Sequence, residues 1–223
     1  MDRILRGGEG WQAAIADALA TASRPIQADP RFMPREAPGA PPLRRYDRSS
    51  FPPARPAATL LLLYPGEEGE LTVPLTVRHS DLRQHAGEIS LPGGTVDADD
   101  PSHEAAALRE AEEEIGVDPA TVTIVGHLDE IWIPVSNFEL RPFVGTAATR
   151  PDFAPHPFEV AEILELPVRT LLTEDAIGEE LIDGPGWALR AAVYRHAGHR
   201  IWGATARTLA MFAAVLGEAG VSA

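Results

Sequence analysis

"GGTVDADDPSHEAAALREAEEEIGV" (residues 93–117) is the stretch on which the reading of this chain turns. Its second half sets Glu110, Glu112, Glu113 and Glu114 within five positions. Like charges three and four apart on a helix repel, by a few tenths of a kcal/mol per pair. At about 100° per residue, Glu110, Glu113 and Glu114 span roughly a 100° arc, with Glu112 on its flank. Leu108, Ala111 and Ile115 fall on a separate arc that can face a core. Asp100 or Ser102 is placed to cap the helix and Gly116 to end it, which predicts a helix over 102–115. An acidic stripe of this kind is either a solvated face or a seat for a hard divalent cation, for which carboxylate oxygens suit Mg²⁺ or Mn²⁺. "LPGG" (91–94) ahead of the helix offers close backbone access, and Arg109 can pair with a neighbouring carboxylate and fix its rotamer. Both features favour the cation.

Outward from the helix, the pattern is that of alternating elements. "AATLLLLYPG" (57–66) reads as a buried strand and "LTVPLTVRHS" (71–80) as a second, joined by a hairpin through "EEGE" (67–70). Pro74 in the second predicts an edge or a bulge. Residues 122–133, 138–147 and 157–167 read as further strands, 187–202 as a hairpin and 203–220 as a closing helix. In that last helix Leu209, Phe212, Ala213 and Leu216 are expected on the core face. Strands on both sides of a central helix imply a mixed α/β sandwich. Residues 9–23 read as an amphipathic helix carrying Trp11, Ile15, Ala18 and Leu19. From Pro25 to Pro56 the chain is rich in proline and polar residues, as in an extended connector or wrapping arm. The division expected is therefore an N-terminal helix and Pro-rich arm over 1–56 and a core domain over 57–220.

Composition narrows the function classes. The 223 residues are 44% hydrophobic and 23% charged, ordinary for a globular chain. A net charge of -14 argues against a non-specific nucleic-acid binder. No apolar run approaches a membrane span, and no secretory h-region is evident, so the expected compartment is the cytoplasm, without a membrane partner. With no cysteine, disulfides, thiolate ligands and a cysteine nucleophile are excluded. The 19 basic residues are all arginine; their spread along the chain fits a coding bias better than a phosphate-binding design.

Residues 93–117 resemble the Nudix box, G-x5-E-x7-R-E-U-x-E-E-x-G-U with U apolar. Gly94, Arg109, Glu110, Ala111, Glu113, Glu114, Gly116 and Val117 match. The middle departs: Asp100 replaces the first glutamate, and eight residues rather than seven separate it from Arg109. The resemblance implies a Nudix fold, an α/β/α sandwich with a mixed β-sheet, and Mg²⁺- or Mn²⁺-dependent hydrolysis of a nucleoside diphosphate linked to another moiety. Carried over by position, Glu110, Glu113 and Glu114 are metal ligands and Arg109 organises them; the ions would neutralise the repulsion. Glu159 and Glu162 are candidates for the base that deprotonates the attacking water, since the family often recruits a glutamate outside the box. Solvent-facing charge is an equally good account of both.

"LTVRHSDLRQHAGEISLPGG" (75–94) further resembles the L-L-T-x-R-[SA]-x3-R-x3-G-x3-F-P-G-G signature of the coenzyme A pyrophosphatase subgroup. Thr76, Arg78, Arg83, Gly87, Pro92, Gly93 and Gly94 fit; His79 and Leu91 depart. The implied substrate is coenzyme A or an acyl derivative, cut to 3′,5′-ADP and a 4′-phosphopantetheine species. Arg78, Arg83 and His85 would serve its phosphates, Gly93 and Gly94 its close approach, and Glu88 is a further candidate metal ligand. Equally, Arg78 and Arg83 would brace the loop by pairing with Asp81, Glu88 or Asp97. Trp132, Phe138 and Trp202 are candidates for an adenine or pantetheine pocket, though core packing is the commoner use. His103 and His127 read as packing or surface residues. The rival readings are an ADP-ribose or other dinucleotide hydrolase and a Nudix module that only binds a metabolite. A binder is expected to have lost a box carboxylate, and the three helix positions are intact. The arm would equally serve a homodimer or be plain disorder.

Overall fold

The computed structural model of the protein describes residues 2–39, 47–79, 88–184 and 187–223. In chain order its helices and strands begin with α1 (Asp2–Leu5), α2 (Trp11–Thr21), β1 (Arg35–Glu36), β2 (Arg55–Pro65) and β3 (Leu71–Arg78). Next come β4 (Ile89–Ser90), β5 (Gly93–Thr95), α3 (His103–Ile115), β6 (Thr123–His127), β7 (Ile131–Ile133) and β8 (Phe138–Thr146). The chain closes with β9 (Val160–Pro167), α4 (Val168–Leu172), β10 (Ile177–Gly184), β11 (Trp187–His196), β12 (His199–Ile201) and α5 (Gly203–Glu218).

The main sheet runs β4-β3-β2-β8-β6, with β5 also on β2, β7 on β8 and β9 on β3. β2 is parallel to β8, from Arg55↔Phe138 to Leu63↔Thr146, and antiparallel to β3 and β5, so the sheet is mixed. The parallel pair needs a crossover, and α3 lies within it. Successive side chains of β2 then serve two layers. Ala58, Leu60, Leu62 and Tyr64 share a core with Ala106, Ala107, Ala111 and Ile115 of α3. Leu61 and Leu63 share the other core with Leu209, Phe212 and Leu216 of α5 and with Trp11, Ile15 and Leu19 of α2. The result is an α/β/α sandwich. Among the described residues no helix is long and apolar enough to cross a membrane.

Local chemistry sets the element ends. Ser102 Oγ accepts the N–H of Ala105 at the start of α3, and Gly116, at φ 73°, ends it. Pro74 sits in β3 between the residues that meet β2 and those that meet β4, where a missing N–H is tolerated. Residues 122–133, expected as one strand, are two. The chain leaves the sheet between β6 and β7 because Asp129 turns to the arm, accepting from Arg24 Nη1 and from the Ile26 N–H, both at 2.6 Å. β10 was not expected; it pairs with β11 along its whole length, in a second sheet ordered β1-β11-β10 with β12 on β11. The arm is held by its inward side chains: Ile26 and Phe32 join the α5-side core, and β1 pairs with β11.

Candidate active site

The site lies where α3 comes down on β5. Alanines at 106, 107 and 111, facing Ala58, let the helix approach the sheet closely. At the contact an added Cβ collides at both glycines, with backbone at Gly93 and with a side-chain end at Gly94. A Cβ on Gly93 would lie 2.4 Å from the Ala58 carbonyl oxygen, and one on Gly94 would lie 2.5 Å from Glu110 Oε1. Glu114, 5% exposed, accepts the Gly93 N–H at 3.2 Å. Glu110 and Glu114 thus meet the two glycines from one face of the helix, as their spacing predicts.

Burial raises the Glu114 carboxyl to about 7; the Gly93 N–H opposes that rise, Glu110 adds to it, Arg78 opposes it and Glu159 adds to it. Glu110 is also raised, first by burial, against the pull of Arg109 and with help from Glu113 and Asp97. Arg109 spends its whole fork here. Nε and Nη2 donate to the two carboxylate oxygens of Asp100 at 3.0 Å each, and Nη2 also donates to the Thr95 carbonyl at 3.2 Å. Nη1 lies 3.0 Å from Glu110 Oε1 and 3.1 Å from Glu113 Oε2. Hydrogen bonding to Arg109 holds the Asp100 carboxyl below its ordinary range. Asp100, which the sequence marks as a departure from the box and as a candidate cap, is therefore the anchor of its arginine, and Ser102 makes the cap.

The donor set fits a hard cation. Glu114 is buried and Glu110 half-buried, side by side on the helix, and desolvation is the largest cause that raises the proton affinity of both. Glu113, with its side chain 59% exposed, is held by Arg109. Among the described residues no three acidic or histidine groups converge in the manner of a complete ligand shell. Magnesium does not require one: it is commonly held by one or two carboxylates, with waters and substrate phosphates completing the octahedron.

Arg78, at the end of β3, acts on Glu114 electrostatically, and its Nε is buried without a hydrogen-bond partner among the described residues. Its N–H donates to the Glu88 carbonyl at 3.0 Å, which sets Glu88 directly beside it. Arg83 and His85 lie outside the described residues. Glu162 is not brought to the cluster, and the expectation for it is corrected. It stands opposite Val77, which packs in the α5-side core, whereas its neighbour Ile163 packs on the α3 side. Its carboxylate instead meets His199 Nε2 at 3.4 Å. Glu159 is the one of the two that acts on Glu114. The aromatic trio is likewise dispersed. Trp132 meets Phe51 edge-on at 5.3 Å, the Arg55 guanidinium covers Phe138, and Trp202 packs against Ile182, Ala191 and Val193.

The NUDIX domain family model matches residues 53–180, more than half of the chain. Nudix hydrolase 22, chloroplastic, of Arabidopsis thaliana is 37% identical over 166 residues, covering 72% of this chain and 55% of that one. Nudix hydrolase 15, mitochondrial, of the same plant is 37% identical over 178 residues, covering 77% and 62%. The chain thus spans little more than half the length of these two relatives. An uncharacterized Nudix hydrolase, NudL, of Enterobacter sp. (strain 638) is 34% identical over 163 residues, covering 73% of this chain and 83% of that one. The match spans the strand–glycine–helix unit just described, and this chain belongs to the Nudix family.

Proposed function

We propose that the protein is a metal-dependent hydrolase of a diphosphate linkage in a nucleoside diphosphate derivative, with coenzyme A or an acyl-coenzyme A as the substrate. The observation that carries the reading is the pair of the half-buried Glu110 and the buried Glu114, set against the backbone of Gly93 and Gly94 with Arg109 locking one member. These two residues, with Glu113, would hold Mg²⁺ or Mn²⁺. A bound ion would screen the anionic diphosphate, polarise a phosphoryl oxygen and lower the pKa of a water. Arg78, whose Nε has no hydrogen-bond partner among the described residues, would grip a phosphate through its guanidinium. Glu159, its side chain half exposed and within electrostatic reach of Glu114, would accept the proton of the attacking water. Gly94 keeps a side chain off the Glu110 carboxylate, and Gly93 lets its strand lie close against Ala58 and Thr59 of β2.

The coenzyme A assignment rests on Thr76, Arg78, Pro92, Gly93 and Gly94, which occupy the subgroup's spacing and run through β3 and β5 into the site. The test is hydrolysis of coenzyme A and ADP-ribose side by side, with Mg²⁺ or Mn²⁺ and with chelator. Metal-dependent release of 4′-phosphopantetheine, faster than ADP-ribose cleavage, is the expected result. Preference for ADP-ribose would keep the hydrolase and discard coenzyme A; no cleavage of either would overturn the enzymatic reading.

A further inference from the structure

Where residues 29–32 of the arm meet α4, β11 and α5 there is a cleft of about 190 Å³. Its buried lining is apolar: Leu171 of α4, Ala210 of α5 and the rings of Phe32 and Tyr194, which stack with centroids 4.6 Å apart. Its exposed lining is charged. Arg31 donates through Nε to Asp29 Oδ2 at 2.8 Å and through Nη2 to Glu174 Oε2 at 2.9 Å. Hydrogen bonding to Arg31 holds both carboxyls below their ordinary range, so the three charges are spent on one another. Where α5 borders the cleft it carries alanine, at 210, 213 and 214, and small residues alone would mean no more than loose packing. Tyr194 supplies an independent observation. It is 1% exposed and lines the cleft, yet among the described residues its hydroxyl has no hydrogen-bond partner. Burial, with Asp29 adding and Arg31 opposing, raises the phenol, which therefore stays protonated and a donor. A buried hydroxyl left unpaired carries a penalty that phenylalanine, filling the same ring space, would not incur.

We propose that this cleft binds a small, uncharged, largely apolar molecule carrying a hydrogen-bond acceptor, which the Tyr194 hydroxyl meets. The volume suits such a ligand, since a cavity of about 150 Å³ accommodates benzene. The charges select it. An anion would face Asp29 and Glu174 and a cation would face Arg31, whereas a neutral molecule leaves that cluster intact. The chemistry is that of a ketone, ester or amide on a short alkyl or aryl body: the body leaves water for the apolar lining, and the oxygen pairs the phenolic donor. The main sheet separates this cleft from the carboxylates of α3. Phe32, Leu171, Tyr194 and Ala210 belong to the α5-side core, and α3 packs on the other face. The cleft is therefore a second binding site, independent of the hydrolase reading.

The test uses the full chain and two probes of one shape: acetophenone, and α-methylstyrene, in which a methylene replaces the carbonyl oxygen. Titration of wild type by saturation-transfer difference NMR should show acetophenone bound about fivefold more tightly than α-methylstyrene. Tyr194→Phe should weaken acetophenone about fivefold and leave α-methylstyrene unchanged. Ala214→Leu should abolish binding of both by filling the cleft, and both variants should keep the circular dichroism spectrum of wild type. Equal affinity for acetophenone in wild type and Tyr194→Phe overturns the assignment of the hydroxyl. Binding of either probe that survives Ala214→Leu overturns the assignment of the cleft, and benzoate bound as tightly as acetophenone overturns the selection for a neutral ligand. If wild type binds neither probe, the cleft holds water only and the proposal fails.

Discussion

On one face of β2, small residues set the spacing: Ala58 meets Ala106, Ala107 and Ala111, and α3 settles close enough for Glu114 to take a hydrogen bond from Gly93. On the other face Leu61 and Leu63 share a core with Leu209, Phe212, Trp11 and Ile15, and among the described residues the buried charged side chain is Glu114, on the α3 side. The first face gives up apolar volume and accepts the buried carboxylate of Glu114 beside the half-buried Glu110; the second supplies the burial that makes this tolerable. Function and stability are therefore separable by the side of the sheet on which a substitution falls, and the predictions test that separation.

The largest effect belongs to the carboxylates. Glu114→Gln or Glu113→Gln should lower metal-dependent turnover about 1000-fold, roughly 4 kcal/mol in the barrier, with the circular dichroism spectrum unchanged. Unaltered activity in both would remove the metal assignment. On the opposite face Leu61→Ala should cost about 3 kcal/mol of unfolding free energy in urea, with turnover per folded molecule preserved. Gly93 and Gly94 sharpen the contrast within two residues. An added Cβ at Gly93 meets the backbone of Ala58, so Gly93→Ala should cost about 1–3 kcal/mol of stability. At Gly94 it meets only the end of the Glu110 side chain. Gly94→Ala should therefore keep the melting temperature while lowering turnover about tenfold, through displacement of that carboxylate.

The smallest effect is a pH dependence of the metal-free protein. The folded Glu114 carboxyl, at about 7, lies above its ordinary value of 4.5, so the folded state binds the proton more tightly than the unfolded chain. This stabilisation is fully present below about pH 4.5 and is lost as pH rises through 7. In chelator, Glu114→Gln should therefore melt higher than wild type at pH 8, by an amount worth about 1–2 kcal/mol, and the difference should vanish near pH 5. A difference that grows on acidification would contradict the buried ionisable carboxylate.

What the sequence disclosed was whatever depends on local rules. The limits of α3 follow from Ser102 and Gly116, its two stripes from helical spacing, and the β11–β12 hairpin turns through Ala197 and Gly198, both at positive φ. What it concealed depends on distant partners. β10, "IGEELIDG", has two glycines and three acids and is a strand because β11 pairs with it. The break between β6 and β7 comes from Asp129 reaching Arg24 across the fold. Glu162 lies away from the cluster because it pairs with Val77, whose side chain packs on the α5 side, and that pairing across β3 and β9 is set by a register that no local pattern shows. The five contacts of Arg109 were half legible: the helix neighbours Glu110 and Glu113 could be counted, but Asp100 and Thr95 come from the loop ahead.

The most direct test of the central claim, that the face of α3 bearing Glu110 and Glu114 is a cation seat, is a Mn²⁺ titration of the full chain followed by electron paramagnetic resonance at pH 6 and pH 8. Wild type should bind Mn²⁺, more tightly at pH 8 because the ion displaces the Glu114 proton, and the Glu110→Gln, Glu114→Gln double variant should leave the ion free in solution. Equal binding by the double variant and wild type would contradict the account.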